Sequence, residues 1–102
     1  MSEIDELIYS YIRLIPLGKV TTFGEVVNVV GNNIQTNNII SALRKVQDIG
    51  YIPTHRVVTN DGCLTKTFID GGRWGQKKYL KNEGVDVKKY KVDLSKFCFY
   101  FW

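Results

Sequence analysis

Two short helical segments, each with its own end signals, stand next to each other near the start of the chain. Thr22, with Glu25 three residues later, forms a capping-box pattern that predicts a helix from Phe23 to Val30. Gly31 can close this helix with a left-handed backbone conformation. A further helix is predicted from about Thr36 to Val46, with apolar residues on its inner face. The pair predicts a helix-turn-helix geometry, which by itself serves either as a packing unit or as a DNA-binding unit.

The other elements follow from apolar periodicity and from helix end signals. A first helix is predicted from Ser2 to Ile15, with Ser2 as its cap and Pro16 just beyond its end. A basic helix is predicted from Arg73 to Glu83, closed by Gly84. We also expect extended structure at Lys19 to Thr21 and at Lys88 to Leu94, a polar loop or short strand at Gly62 to Ile69, and core packing for the aromatic Phe97 to Trp102.

The stretch from Ile52 to Val58 is predicted to bend between two extended segments. Pro53 fixes one φ angle and cannot donate a ladder hydrogen bond, so it suits the rim of a strand. Asp61 and Gly62 then form a pair that tolerates positive φ and predicts a turn. His55, the only histidine in the chain, lies at the bend. Its residue type alone is compatible with a structural role or with a catalytic base.

Length and composition indicate one small globular domain spanning residues 1–102. Hydrophobic residues make up 44% and charged residues 24%, which is ordinary for a water-soluble fold. No apolar run approaches the roughly 20 residues that span a bilayer, and the acidic N-terminus does not resemble a secretory signal. Cys63 and Cys98 lack metal-type spacing and form no disulfide framework, so neither a metal site nor a cofactor is predicted. We expect an intracellular location, in the cytoplasm or, in a eukaryote, the nucleus.

Positive charge is concentrated in the C-terminal part of the chain. Residues 1–65 carry five Lys or Arg and six Asp or Glu, whereas residues 66–102 carry nine Lys or Arg and four Asp or Glu. A basic surface of this kind can contact the phosphate backbone of nucleic acid. It can equally be a solvated face that keeps the domain soluble.

Four segments together resemble the DNA-binding domain of the O6-alkylguanine-DNA alkyltransferases. They are Ile15 to Glu25, Ile52 to Val58, Asp61-Gly62 and Asn82 to Val85, and their order and spacing match that family over about residues 4–87. The C-terminal tail and the segments Leu64 to Lys66 and Gln76 to Lys78 are more similar to the non-enzymatic branch, the alkyltransferase-like proteins. The resemblance implies an α+β, winged-helix-like domain with a helix-turn-helix and a small β element.

The resemblance also implies that this chain is not an enzyme. Thr54 stands where the alkyltransferases carry the cysteine that removes the alkyl group by direct displacement. His55 and Glu83 match the two residues that activate this cysteine. A threonine hydroxyl is far less acidic than a thiol and is a poor nucleophile toward carbon. Residual chemistry at Thr54 or at Cys63 remains an alternative.

For the non-enzymatic branch the resemblance implies binding of double-stranded DNA that contains O6-alkylguanine. The protein, expected to be a monomer, would dock its second motif helix in the minor groove, flip the damaged base into a pocket, and direct the lesion to nucleotide excision repair proteins. Val57 would offer its carbonyl to the base and a loop around Phe68 would close over it. The implied lesion pocket comprises Phe23, Thr54, His55, Arg56, Val57, Phe68 and Glu83. The implied DNA-binding residues are Thr22, Asn37, Asn38, Ser41, Arg44 and Lys45.

Two positions depart from the family pattern. Asn37 occupies the position of the arginine that fills the gap left by the flipped base, and Phe23 replaces a pocket tyrosine and so lacks its hydroxyl. Losing both polar contacts would weaken DNA binding. The alternative function is therefore a degenerate family member that acts as a weak DNA-binding or protein-interaction domain without lesion specificity.

Overall fold

The computed structural model describes residues 3–31, 33–46, 48–49 and 51–101. The predicted cap residue Ser2 and the terminal Trp102 lie outside these described residues. The helices are α1 Glu3–Ile12, α2 Phe23–Val30, α3 Thr36–Arg44, α4 Gly72–Asn82 and α5 Leu94–Phe97, with a 3₁₀ turn at Thr54–Arg56. The strands are β1 Thr21–Thr22, β2 Val57–Val58, β3 Val87–Lys88 and β4 Lys91–Val92.

The first three helices pack on one another and form the larger of two apolar cores. Thr22 Oγ1 accepts a hydrogen bond from the backbone N–H of Glu25 at 3.1 Å and caps α2 as predicted. Gly31 ends α2 with a φ of +68°, a conformation that glycine adopts at little cost. The buried side chains of this helical core come from all three helices and include Ile8, Ile12, Val26, Val30, Ile39 and Leu43. The predicted helix-turn-helix is confirmed.

A short parallel pair of strands separates the helical core from a second, smaller core. Thr21 pairs with Val57, and Thr22 pairs with Val58. Successive strand residues point to opposite faces, so Val57 packs in the helical core and Val58 in the second core. The second core also contains Val20, Leu64, Leu80, Val85, Val87 and Val92. The strand pair thereby fixes the 3₁₀ turn that precedes β2 at the boundary of the two cores.

The prediction of one extended segment from Lys88 to Leu94 is wrong. The chain instead folds into an antiparallel hairpin in which Val87 pairs with Val92 and Lys88 with Lys91. Lys89 and Tyr90 form its turn with φ angles of +50° and +62°. Such turns normally carry Asn-Gly or Asp-Gly, so the sequence contains no ordinary turn signal at this point. Helix α5, capped by Asp93, follows the hairpin and was not predicted.

Helix ends differ from the predicted ends by one to three residues. α1 ends at Ile12 rather than Ile15, and the N–H groups of Leu14 and Ile15 then donate to carbonyls three residues back in tightened turns. α3 ends at Arg44, and the N–H of Val46 then donates to the carbonyl of Leu43 at 3.3 Å in a tightened last turn. α4 begins at Gly72, one residue before the predicted start.

The aromatic C-terminal segment packs against the folded domain, as predicted. Phe99 and Phe101 lie against the helical core, and the ring of Phe101 meets that of Tyr11 edge to face at 5.9 Å. The backbone of Val20 exchanges hydrogen bonds with Phe97 and Phe99. Among the described helices none is long and apolar enough to cross a membrane.

Candidate nucleic-acid interface

Thr54 and His55 lie on the 3₁₀ turn and are almost completely buried. Their exposed fractions are 2% and 3%. Pro53 opens the turn, and its carbonyl accepts a hydrogen bond from the N–H of Arg56 at 3.0 Å. The tight turn directs consecutive side chains into the protein just before β2 begins. The bend predicted around Pro53 is found, but only the segment after it is extended, as β2, and the described residues just before it form turns. The bend forms the buried floor of the candidate site.

Glu83 links His55 to Arg56 at the end of α4. The Oε2 atom of Glu83 lies 2.8 Å from Nε2 of His55 and 2.7 Å from Nη2 of Arg56, while Oε1 accepts from Nε of Arg56 at 2.9 Å. The guanidinium thus binds the carboxylate in a bidentate manner, with one hydrogen bond to each oxygen. Its remaining Nη1 donates to the carbonyl of Ile15 at 2.8 Å. Arg56 acts on the site by holding Glu83 in position.

Burial and charge set the protonation states of this group. Burial lowers the pKa of His55 below its ordinary value, even though the Glu83 carboxylate favours the protonated ring. For Glu83, burial by itself raises the pKa, but hydrogen bonds from Arg56 and His55 together outweigh it and leave the pKa lowered. His55 is therefore neutral and Glu83 ionised near pH 7. The neutral ring then carries its proton on Nε2, because that nitrogen faces the carboxylate.

Two polar atoms at the floor have no hydrogen-bond partner among the described residues. They are Oγ1 of Thr54 and Nδ1 of His55, and both are buried. Both atoms are therefore available to hydrogen-bond with a molecule that reaches them.

Gln76 supports the floor from α4 and was not identified from the sequence. Its fully buried side chain donates from Nε2 to the carbonyls of His55 at 2.9 Å and Val57 at 2.8 Å. Its Oε1 accepts from the N–H of Thr65 at 2.8 Å. The carbonyl of Val57, implied as a contact for the base, therefore already accepts one hydrogen bond. A carbonyl oxygen has a second lone pair available for a ligand.

One aromatic ring lies against His55 and a second ring lies against the first, and only the second was anticipated. The ring of Tyr79 lies against that of His55, with centroids 5.2 Å apart and planes tilted by 31°. Phe68 is 7% exposed and meets Tyr79 edge to face at 5.5 Å. Tyr79 Oη donates to Oδ2 of Asp70 at 2.7 Å, which ties this ring to the loop that carries Phe68. We call Phe68, Asp70 and Tyr79 the aromatic lid.

Gly75 allows the loop of the aromatic lid to lie directly on α4. A Cβ atom at this position would come within 1.7 Å of the carbonyl oxygen of Asp70. No side chain fits there without moving the backbone of the loop. Glycine is therefore required at position 75 because the loop of the aromatic lid lies so close, and not because of the conformation of α4.

The residues implied as DNA contacts on α3 fall into two groups. Asn37, Ser41 and Arg44 are exposed and share one stripe of the helix, because they are spaced by four and three residues. Asn38 accepts the N–H of Gln35 on its Oδ1 at 2.7 Å and thereby caps α3. Lys45 is bound through Nζ to Asp5 Oδ2 at 2.8 Å.

Thr22, implied as a DNA contact, and Phe23, implied as a lesion-pocket residue, lie at the start of α2 and are largely buried. Thr22 uses its hydroxyl to cap the helix, and Phe23 packs within the helical core. Both residues therefore have a structural role in the fold described above. Because these two side chains are buried, the exposed stripe of α3 provides the polar surface of the helix-turn-helix.

An open cleft joins this stripe to the aromatic lid. Its volume is about 830 Å³, and it lies between Arg44 and Lys45 on one side and Ile69, Asp70 and Tyr79 on the other. The cleft thus reaches the edge of the aromatic lid at Asp70 and Tyr79, and Tyr79 in turn lies against the buried His55. Among the described residues no cluster of His, Cys, Asp or Glu could hold a metal ion.

The comparison with known proteins agrees with this geometry. The profile of the family described as "6-O-methylguanine DNA methyltransferase, DNA binding domain" matches residues 3–85. The chain therefore belongs to this family. Within the family it is an alkyltransferase-like protein.

Individual relatives support the assignment of this chain to the alkyltransferase-like proteins. Alkyltransferase-like protein 1 of Schizosaccharomyces pombe is 31% identical over 95% of this chain and 94% of its own length. A DNA base-flipping protein of Vibrio parahaemolyticus is 31% identical over 88% of this chain and 89% of its own length. The crystal structure of S. pombe Atl1 in complex with damaged DNA containing O6-carboxymethylguanine superposes with a TM-score of 0.86 at 30% identity, covering 97% of this chain and 96% of that one.

The fold is also shared with an enzyme. The O6-methylguanine methyltransferase of Mycobacterium tuberculosis matches with a TM-score of 0.70 at 22% identity, over 81% of this chain and 49% of that protein. This likeness shows a common fold. The predicted α+β, winged-helix-like architecture is confirmed by the likeness to the DNA-bound structures of the S. pombe protein.

Proposed function

We propose that this protein recognises O6-alkylguanine in double-stranded DNA without repairing it. The observation that carries the proposal is the arrangement at Thr54, where the activating pair His55 and Glu83 is intact beside a residue that cannot act as the alkyl acceptor. The damaged base would be flipped from the duplex and enter beneath the aromatic lid. The bound lesion would then be passed to nucleotide excision repair.

The exposed stripe Asn37, Ser41 and Arg44 supports docking of α3 on DNA. A polar, cationic stripe on a helix can contact phosphate and sugar groups of a groove. Flipping a base costs a few kcal/mol of lost stacking, which contacts in the pocket and bending of the duplex must offset. Asn37 can hydrogen-bond to the orphaned partner base, although its short neutral side chain fills the gap less well than arginine would.

Chemistry at Thr54 is disfavoured by the electrostatics of the site. Displacing an alkyl group requires the acceptor to lose a proton, and the hydroxyl of threonine is much less acidic than a thiol. The His55 ring is a weak base because burial lowers its pKa. The alkyl group therefore stays on the guanine.

Flipping is tested with a duplex that carries 2-aminopurine beside an O6-methylguanine, since unstacking increases the fluorescence of 2-aminopurine. We expect an increase on addition of protein to the lesion duplex and no increase with guanine at the same position. The same signal from both duplexes would contradict lesion recognition. A parallel incubation with a duplex labelled on the alkyl group should leave all the label on DNA.

A second candidate function is weak, lesion-independent binding to DNA or to a protein. It is favoured by the ion pair between Lys45 and Asp5, which removes one cation from the helix-turn-helix, and by the absence of arginine at Asn37. Equal micromolar affinity for damaged and undamaged duplexes would support this candidate.

A further inference from the structure

The floor of the proposed pocket offers unused hydrogen-bonding groups rather than an apolar surface. Oγ1 of Thr54 and Nδ1 of His55 are buried without a partner among the described residues. The ring of Tyr79 lies against that of His55, and Phe68 packs on Tyr79. A base that entered the proposed pocket would come within reach of both atoms.

The two atoms differ in what they can accept and donate. Nε2 of His55 donates to Glu83, so Nδ1 is left as an acceptor on the neutral ring. The hydroxyl of Thr54 can donate one hydrogen bond and accept others. The hydroxyl proton of Thr54 and Nδ1 of His55 are both paired only if the guest group can itself accept and donate. A hydroxyl group meets this requirement in the smallest volume.

We infer that Thr54 and His55 make the pocket selective for O6-adducts whose tail carries a hydroxyl group over apolar adducts of the same size. The inference rests on the proposed function, because an O6 substituent reaches Thr54 only if the flipped guanine occupies the pocket as proposed. An apolar tail would leave both buried polar atoms unpaired. A hydroxyl tail would pair with them, and a site with buried polar groups discriminates strongly against a guest that cannot pair.

A carboxylate tail is a poorer match than a hydroxyl tail. Its oxygens can accept from the hydroxyl of Thr54, but they have no proton to give to Nδ1 of His55. Asp70 in the aromatic lid also repels negative charge, whereas the charge of Glu83 is neutralised by Arg56. The preferred tail is therefore neutral, with both a donor and an acceptor.

The test compares two adducts that differ in one terminal group. O6-(2-hydroxyethyl)guanine and O6-propylguanine have the same number of non-hydrogen atoms in the tail, and the terminal hydroxyl of the first replaces the methyl of the second. Dissociation constants are measured for the full chain with each duplex and with an otherwise identical guanine duplex. We expect the hydroxyethyl duplex to bind about fivefold to tenfold more tightly than the propyl duplex.

Two variants assign the preference to the hydroxyl. Thr54→Val keeps the shape of the side chain without its hydroxyl and should abolish the preference. Thr54→Ser keeps the hydroxyl and should retain it. Thermal melting of both variants checks that they fold, and the comparison of adducts on the unaltered chain decides the inference even if Thr54→Val does not fold.

The outcomes separate this inference from the proposed function. Equal affinity for the two adducts, both tighter than guanine, would overturn the inference and leave the proposed function standing. A preference that persists in Thr54→Val would overturn the role of Thr54. If neither adduct bound more tightly than guanine, the proposed function itself would fail and the inference with it.

Discussion

His55 and Glu83 lie 2.8 Å apart, in the geometry of a histidine and the carboxylate that orients it. In an alkyltransferase this pair activates a cysteine, whereas here the neighbouring residue is Thr54. The pair nevertheless remains buried and is reinforced by Arg56. It can therefore serve to hold the floor of a binding pocket in a fixed shape.

Replacing Glu83 by Gln tests this structural role. The variant removes the charge that neutralises the guanidinium of Arg56 and leaves a cation with only 14% of its side chain exposed. We expect the free energy of unfolding, measured in urea, to fall by about 2–4 kcal/mol. Asp86→Asn is the matched control, because Asp86 pairs with Lys88 at 3.9 Å on the surface and such pairs contribute about 0–1 kcal/mol. Equal effects of the two variants would contradict the role.

The stability of the protein should depend on the ionisation of His55. Burial lowers the pKa of His55 from its ordinary 6.5, so the unfolded chain binds this proton at a higher pH than the folded chain. The contribution of the neutral ring is complete above about pH 6.5 and is lost as the pH falls toward the folded pKa. Glu83, whose pKa is lowered from 4.5, adds a separate loss below that value.

Urea unfolding at a series of pH values measures this dependence. We expect the free energy of unfolding to decrease as the pH is lowered from 6.5 to 5, and His55→Gln to show a smaller slope in this range. The slope is compared rather than the absolute stability, because the substitution also removes the contact with Glu83. The same slope in both proteins would show that another group titrates.

Gly75→Ala tests the contact between α4 and the aromatic lid. In an open helix this substitution stabilises by about 1 kcal/mol. Here the added Cβ would lie 1.7 Å from the Asp70 carbonyl oxygen, so we expect destabilisation by about 1–3 kcal/mol and weaker binding of damaged DNA. Lys81→Ala, on an exposed site of the same helix, is the control and should change stability by less than about 0.5 kcal/mol. A stabilised Gly75→Ala variant would show that the lid does not rest on the helix.

Much of the fold could be predicted because its signals are local. The cap at Thr22 and the helix end at Gly31 each depend on a few neighbouring residues, and both are found as predicted. The resemblance to the alkyltransferases likewise drew attention to Thr54, His55 and Glu83. The hairpin at Lys89 and Tyr90 was missed because its turn lacks the glycine or asparagine that usually marks such a conformation.

The supports of the site could not be predicted because they depend on tertiary contacts. Gln76 reaches the carbonyl of His55 from 21 residues away, and a glutamine in a basic helix gives no sign of which backbone groups it contacts. Tyr79 covers His55 only because α4 packs against the 3₁₀ turn. The inward position of Gln76 is the part that could have been predicted, since Gln76 lies four residues before the buried Leu80 and therefore on the same face of α4.

Asn37→Arg tests whether α3 docks on DNA. Asn37 is exposed at the start of the polar stripe, and an added guanidinium there can contact phosphate or fill the space of a flipped base. We expect duplex binding to tighten about threefold to tenfold. The slope of log binding constant against log salt concentration should become steeper by the equivalent of about one phosphate contact. Ser10→Arg adds the same charge on the exposed side of α1 and should have little effect. Equal tightening by both variants would indicate a general effect of charge.

The central claim is recognition of the lesion without repair, and the ratio of two dissociation constants tests it most directly. One duplex carries O6-methylguanine and the other carries guanine at the same position, and both are titrated with the full chain at the same salt concentration. We predict that the lesion duplex binds at least tenfold more tightly and that the O6-methylguanine is recovered intact from the complex. Equal dissociation constants, or loss of the methyl group to the protein, would contradict the account.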